Sequence, residues 1–393
     1  MDLLQLDVRT LAFVSGFGGI IMAATMVSLY LAGTRQSGVR YWMAAGLCFA
    51  LGYLSGHLLL TLPTEVPPWL AAALANTLIG MAHTFILLGV QKYLGVRPWT
   101  WPLLGLVAAM FLALVFMPVL RDSLQMRIIS QSSWYVLMNV AAGVLLWRAP
   151  RPGLTAYRRA VAVVLLAFAA FLLVRLGSAA ATPGLDASFV QSPVQILAFL
   201  VGMLVTFVLT MALVVLLFRE KELHLQYLAR HDALTGLYNR HSLSELAPIQ
   251  FSQAERYGTS LSLIAIDLDH FKPINDEFGH LTGDRMLRGI GKLLSQASRE
   301  SDLVFRTGGE EFLLLLPCTT RDEAKTTAQR IRGEIAKRRW ALDERSLSVT
   351  ASLGVVEVFP DIETWEDAVR RVDRALYEAK REGRNRVRVA DAR

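Results

Sequence analysis

Two pairs of carboxylates stand where apolar runs end or begin. Asp267 and Asp269 close the run Leu261–Asp269, and Glu310 and Glu311 open another directly after Thr307-Gly308-Gly309. Short apolar runs bounded by turn residues read as strands, and a glycine turn between two of them brings strand ends together. Glycine tolerates positive φ and lets a ligand approach the backbone. Carboxylates converging from two strands are oxygen donors suited to Mg²⁺, which takes one or two of them plus substrate phosphates. Two such ions about 3.5–4 Å apart activate an attacking hydroxyl and neutralise a leaving pyrophosphate. Lys272, Arg306, Lys380 and Arg384 offer cations for phosphates, the last two spaced to share one helix face. The chemistry indicated is metal-dependent phosphoryl or nucleotidyl transfer, with the nucleotide left open. The alternative is a solvated acidic sheet edge.

The elements that must position these groups follow from the pattern after residue 231. Helices are expected at Arg240–Arg256, Phe271–Phe278, Gly283–Arg299, Arg321–Arg339 and Trp365–Arg381, the last capped by Gly383. Strands are expected at Leu261–Asp269, Asp302–Arg306, Glu311–Leu316, Ser346–Phe359 and Arg386–Val389. Consecutive strands joined by a tight turn exclude a purely parallel sheet. The reading is an α/β domain with a mixed or largely antiparallel sheet.

The preceding half is different. Hydrophobic residues make up 53% of the 393-residue chain, and they concentrate before Phe218. Seven apolar stretches there are long enough to cross the hydrocarbon core, which takes about 20 helical residues: Leu11–Ala32, Tyr41–Leu62, Trp69–Leu94, Trp99–Leu120, Met126–Trp147, Tyr157–Ala181 and Pro193–Phe218. Asp2 and Asp7 precede the first, unlike the basic start of a signal peptide. Arg35 and Arg40, Lys92 and Arg97, and Arg148, Arg151, Arg158 and Arg159 fall in alternate gaps, whereas the gaps holding Glu65 and Asp186 carry no Lys or Arg. Positive-inside logic puts the N-terminus outside and the residues after Phe218 in the cytoplasm. The same loops account for much of the net charge of +7, so no nucleic-acid partner is expected. The two cysteines, Cys48 and Cys318, lack metal-ligand spacing and suit neither a disulfide framework nor a zinc site. Within the spans, His57, Asn76, His83, Asn139 and Arg175 are candidates for sensing, against the plainer role of bonding neighbouring helices. A haem or proton site at His57 and His83 would need the two to meet.

No Gly or Pro interrupts the chain from Phe218 to His231. Leu213, Leu216, Glu220, Leu223 and Tyr227 alternate steps of three and four, the spacing of a coiled-coil seam. The division expected is a seven-span all-α bundle over 1–218, a helical stalk over 219–231, and an α/β domain over 232–393.

That last segment resembles the GGDEF domains of diguanylate cyclases. The resemblance rests on an ordered series: Asp232-Ala-Leu-Thr-Gly-Leu-Tyr-Asn-Arg240, Asp267-Leu-Asp-His-Phe-Lys-Pro-Ile-Asn-Asp276, Gly279-His280, Gly283-Asp284, Gly308-Gly-Glu-Glu-Phe312, Ala351-Ser-Leu-Gly354 and Ala375-Leu-Tyr-Glu-Ala-Lys-Arg-Glu-Gly-Arg-Asn385. It implies a palm-like nucleotide-cyclase fold and synthesis of cyclic di-GMP and pyrophosphate from two GTP. Asp267, Glu310 and the Leu268 carbonyl would hold two Mg²⁺ ions, or Mn²⁺ in their place. Glu311 would assist deprotonation of the attacking 3′-hydroxyl or position that end of the substrate. Asn275 and Asp284 would read the guanine edge, while Phe271, Lys272, Gly308, Gly309, Lys380 and Arg384 would contact or shape the phosphate site. Asp269 and Asp276 would brace the loop. Arg299 and Asp302, five residues before the glycine turn, resemble the family's product-inhibition site, with Arg330 contributing from a second surface. A homodimer paired through stalk and cyclase domains, anchored in the bacterial inner membrane, is the implied assembly. A receptor for the product, a transporter, and a cyclase for another nucleotide are the rival readings.

Overall fold

The computed structural model describes residues 8–33, 38–61, 66–182, 185, 191–342 and 345–390. Asp2, Asp7, Arg35, Glu65 and Asp186, used above for orientation, lie outside the described residues. The chain divides into two units, Met1–Leu223 and His224–Arg393.

The first unit is helical. Its helices are α1 (Val8–Leu31), α2 (Val39–Thr61), α3 (Pro68–Tyr93), α4 (Thr100–Phe116), α5 (Pro118–Asp122), α6 (Leu124–Trp147), α7 (Thr155–Ala181) and α8 (Pro193–Arg230). Helices occupy the expected apolar stretches among the described residues, with the fourth broken at Met117. Five helices, α1, α3, α6, α7 and α8, are long and apolar enough to cross a membrane among the described residues. Helix α4 has 17 residues because Met117 turns extended before Pro118. At about 1.5 Å per residue it falls short of a full bilayer. Helix α2 carries Arg40, Ser55 and His57 and lies outside the set of five. Small residues let the backbones meet: a Cβ on Gly19 would lie 2.4 Å from the Ala50 nitrogen, and one on Gly46 2.5 Å from that of Ala23. Such close contact replaces the hydrophobic drive that lipid does not supply.

The polar candidates separate. His83 is buried among Phe49, Tyr135 and Phe168 and sits 3.0 Å from the Asn139 amide. His57 instead lies against Phe13, with Nδ1 3.0 Å from the Arg9 carbonyl. The two histidines thus occupy different surroundings.

Helix α8 runs unbroken for 38 residues. The first four positions of the expected seam, however, face the chain itself, while Tyr227 is exposed. Leu213 and Leu216 are buried, Glu220 pairs with Arg151 at 2.7 Å, and Leu223 packs on Gly153. A second stripe of the same spacing is exposed: Leu204, Val208, Met211, Val215, Phe218 and Leu225.

The second unit contains α9 (Arg240–Tyr257), β1 (Leu261–Leu268), α10 (Phe271–Phe278), α11 (His280–Ala297), β2 (Leu303–Arg306), β3 (Glu311–Pro317), α12 (Arg321–Lys337), β4 (Trp340–Leu342), β5 (Arg345–Leu347), β6 (Ala351–Val358), α13 (Trp365–Arg381) and β7 (Val387–Val389). The main sheet has order β2-β3-β1-β6-β7, antiparallel except for the parallel pair β6–β7. Alternation along β1 divides the core. Ile264, Ile266 and Leu268 pack with Met286, Ile290 and Leu294 of α11 and Ala328 and Ile331 of α12. Leu261, Leu263 and Ala265 pack on the other side with Ala247 of α9 and Val372 of α13. Helices on both faces bury the whole of β1, so it reads as apolar apart from Ser262 and Asp267. Strand β4, and its antiparallel pairing with β5 at the start of the expected stretch Ser346–Phe359, were not expected from the sequence.

Candidate functional site

Asp267 ends β1 between two neighbours. Pairing places it opposite Glu311 of β3 on one side and Ser352 of β6 on the other. The Leu268 amide donates to the Glu310 carbonyl at 3.3 Å, and the Thr307 amide closes the turn onto the Glu311 carbonyl at 3.0 Å. Asp267, Leu268, Glu310 and Glu311 are thereby adjacent at one end of the central strands. Asp267 is buried, Glu310 half-buried and Glu311 exposed.

The Gly308-Gly309 turn works differently from the expectation. Neither residue is among the glycines with positive φ. Instead a Cβ on Gly308 would lie 2.7 Å from Glu311 Oε2, so the missing side chain makes room for that carboxylate. Gly309 has open space, and its carbonyl accepts from Arg306 Nε at 3.2 Å and Nη2 at 2.7 Å. Arg306 also donates to Asp232 Oδ1 at 2.9 Å. Arg306 is therefore committed to holding the turn and is not available as a phosphate cation. Partial burial alone would raise the Asp232 carboxyl, but hydrogen bonds from Thr235 and Arg306 hold it below the usual range. A folded-state value lowered in this way keeps the tie at neutral pH and releases it as pH falls through that value.

A cation already sits against Asp267: the Lys380 ammonium, 2.7 Å from Oδ2. Lys380 was expected on phosphates, and the fold places it on this carboxylate. Among the described residues no group of three or more His, Cys, Asp or Glu side chains converges to hold a metal. The donor set still fits a divalent ion of the Mg²⁺ type. That ion needs few carboxylates, and this buried carboxylate already has a positive charge on it.

Asp269 braces the site. Its oxygens accept from Ser352 Oγ and Thr350 Oγ1, each at 2.7 Å, and from the Asn385 amide at 3.0 Å. Asn385 lies in a turn of successive positive φ, Gly383 at 109°, Arg384 at 59° and Asn385 at 46°. Asp269 thus ties the end of α13, with Lys380 and exposed Arg384, to the end of β1. Replacing Asp269 by Ala would strand three donors in a site only 4% exposed. The expected loss is about 3 kcal/mol of stability, read as a lower denaturation midpoint at unchanged slope. Asp276 is exposed and braces nothing among the described residues.

Asn275 and Asp284, on α10 and α11, are both half-exposed. A Cβ on Gly283 would meet Asn275 Oδ1 at 1.9 Å and Phe271 Cζ at 3.1 Å, so Gly283 seats the amide. Phe271 is buried in the core beneath, and Lys272 is exposed. Away from this cluster, the Arg299 amide donates to Asp302 Oδ2 at 2.8 Å, closing the turn after α11. Arg330 reaches the same helix end through the Ala297 carbonyl at 2.7 Å.

Asn385, Gly283 and the Asp232–Arg306 tie were absent from the site expected from the sequence. All but Arg306 lie inside the quoted motifs, which was the available signal.

Residues 229–386 match the family model described as diguanylate cyclase, GGDEF domain. The diguanylate cyclase DgcP of Pseudomonas aeruginosa is 43% identical over 159 residues, 40% of this chain and 24% of that protein. Diguanylate cyclase DgcM of Escherichia coli is 41% identical over 172 residues, 44% of this chain and 41% of that one. The chain therefore spans less than half the length of these curated relatives. Among solved structures, the coiled coil and GGDEF domain of DgcB from Caulobacter crescentus in complex with c-di-GMP is 32% identical. It covers 44% of this chain and 92% of that one at a TM-score of 0.42. Residues 229–386 therefore belong to the GGDEF domain family of diguanylate cyclases.

Proposed function

We propose that the protein condenses two GTP into cyclic di-GMP with release of two pyrophosphates. The observation that carries this is the meeting of Asp267, Glu310 and Glu311 at one end of the central strands, inside the segment that matches the family. Bound Mg²⁺, held by Asp267, Glu310 and the Leu268 carbonyl, supplies charge neutralisation for the leaving pyrophosphate. Glu311, exposed and set over Gly308, accepts the proton of the attacking 3′-hydroxyl. Asn275, seated by Gly283, and Asp284 pair with the guanine edge, an amide and a carboxylate matching its acceptor and donors. Lys380 balances Asp267 before substrate arrives and, with Lys272 and Arg384, then serves the phosphates.

The product joins two nucleotides by two equivalent bonds, so two domains must face each other about a two-fold axis. Holding them so makes the attack effectively unimolecular. The exposed stripe of α8 through Phe218 and Leu225 is the seam on which two chains pair. Counting α2 and α4 as spans gives seven, with the N-terminus outside and the cyclase domain in the cytoplasm, as the basic gaps favour. The membrane is the bacterial inner membrane.

GTP with Mg²⁺ should yield cyclic di-GMP, while ATP should be refused; equal use of ATP would overturn the guanine assignment. The Arg299–Asp302 turn, with Arg330 nearby, takes the product and slows the enzyme. The Arg299 guanidinium stacks on and bonds guanine. Arg299→Ala should leave the initial rate within about twofold, because surface changes away from the site have small effects, while product accumulates to a higher plateau. An unchanged plateau would remove the inhibitory role.

A further inference from the structure

The first unit holds a polar cavity that the reactions above do not use. It opens where α3, α6 and α8 begin and α7 ends, and its volume is about 130 Å³. Its walls include Arg127, Gln131, Tyr135, Arg175 and Gln195. A second cavity of about 100 Å³ shares Tyr135, Arg175 and Gln195 and continues inward between the rings of Tyr53, Phe168 and Phe199.

Three facts set this place apart from a chance gap between helices. Gln131 is 2% exposed, yet neither Nε2 nor Oε1 has a hydrogen-bond partner. A buried amide left with a free donor and a free acceptor is costly and rare, so it calls for an explanation. Among the described residues, secondly, the two guanidiniums donate to neutral groups. Arg175 donates to Gln195 Oε1 at 3.2 Å and Ser132 Oγ at 2.8 Å, and Arg127 to the Arg121 carbonyl at 2.8 Å. No carboxylate lines either cavity among the described residues. The carboxylate of Asp122 pairs with Arg121 at 2.9 Å and also acts on the charge of Arg127, which leaves Arg175 as the guanidinium without an acidic neighbour among the described residues. Arg175 has no carboxylate partner among the described residues, and a charge within a membrane bundle is expensive to leave uncompensated. Thirdly, the inner cavity is rich in rings, with Asn76 and His83 also in its lining, so a charged mouth leads to a largely ring-lined chamber.

We infer that this double cavity binds a small monocarboxylate with a short apolar or aromatic body. The carboxylate lies between Arg127 and Arg175, the Gln131 amide donates to it, and the apolar part enters the ring-lined chamber. Guanidinium suits a carboxylate because its planar N–H pairs match both oxygens. The volumes fall below the roughly 300 Å³ at which pockets for drug-sized ligands begin, which restricts the occupant to a small molecule. Gln195, Ala198 and Phe199 bring α8 into the walls, so occupancy is felt by the helix that leaves the bundle. On the orientation proposed above, the mouth faces outside the cell.

The test uses the full-length protein in lipid nanodiscs with benzoate and hexanoate as probes and benzamide as the neutral control. Both carboxylates should raise the unfolding midpoint in a saturable manner, and benzamide should not. Arg175→Gln should weaken benzoate binding about tenfold or more, the cost of losing a charged hydrogen-bond partner. Gln131→Leu should raise the midpoint of the unliganded protein by removing the orphaned amide while weakening benzoate binding. A role in packing alone would not produce that pair of opposite changes. The inference is overturned if neither carboxylate shifts the midpoint, which would leave a cavity filled by water. It is also overturned if benzamide matches benzoate, or if benzoate binds undiminished to both variants.

Discussion

Glu311→Ala should abolish cyclic di-GMP formation while the protein folds as before. The side chain is exposed, and its carboxylate lies beside Gly308. Its removal strands no buried donor and opens no cavity, so thermal unfolding should stay within the small range of surface substitutions. The backbone of residue 311, which closes the turn onto Thr307, is untouched. Only the acceptor for the 3′-hydroxyl proton is lost. The expected fall in rate is about a thousandfold or more, roughly 4 kcal/mol of transition-state stabilisation. GTP binding, governed by Asn275, Asp284 and the phosphate contacts, should change little. Turnover retained within about tenfold would remove Glu311 from the proton step.

Gly354→Ala should be the most damaging change to the fold of the catalytic half. Gly354 lies on β6 where α13 crosses, and a Cβ there would sit 2.4 Å from the Val372 carbonyl oxygen and 2.5 Å from the Leu376 nitrogen. Both are backbone atoms of a helix and cannot rotate away. Relief requires α13 to lift by about 1 Å to reach ordinary contact distance. That helix fills one face of the core through Ala368 and Val372 and delivers Lys380 to Asp267. Overpacking of this kind costs about 3 kcal/mol, more where backbone must move. Chemical denaturation should show the loss, and residual activity should fall with it because the Lys380–Asp267 pair is disturbed. Gly309→Ala is the contrast: nothing lies within 4 Å of that Cβ, and stability should be retained. Equal stability of Gly354→Ala and the parent protein would mean that α13 does not press on β6 there.

These two glycines show what a sequence discloses and what it withholds. Local periodicity was enough for the strands and helices around the site, since β1, β3, α10 and α13 are each announced by an apolar pattern and a bounding turn. The convergence of Asp267 with Glu310 and Glu311 was legible for the same reason: a short turn between strands leaves few ways to pair them. The Lys380–Asp267 pair joins residues far apart in the chain, and no local signal carries it. Gly308 was expected to supply positive φ; its use is to be empty, a fact about the neighbour Glu311 rather than about its own backbone. Strand β4 escaped notice because a strand of three residues has no period to detect. On α8 the heptad spacing was real but present on two faces. Spacing alone does not say which face the bundle covers, and burial of Leu213 and Leu216 assigns the buried one to the chain's own core. Of the seven spans expected, α4 falls short of a full crossing because Pro118 ends it early.

The central claim is that the Asp267–Glu310–Glu311 cluster turns GTP into cyclic di-GMP. The most direct measurement is mass-resolved chromatography of the products formed when the full-length protein, held in lipid nanodiscs, meets GTP and Mg²⁺. The account predicts one cyclic di-GMP and two pyrophosphates for every two GTP consumed, none of it from Glu311→Ala. Intact GTP, or GDP and phosphate in place of the cyclic dinucleotide, would contradict it.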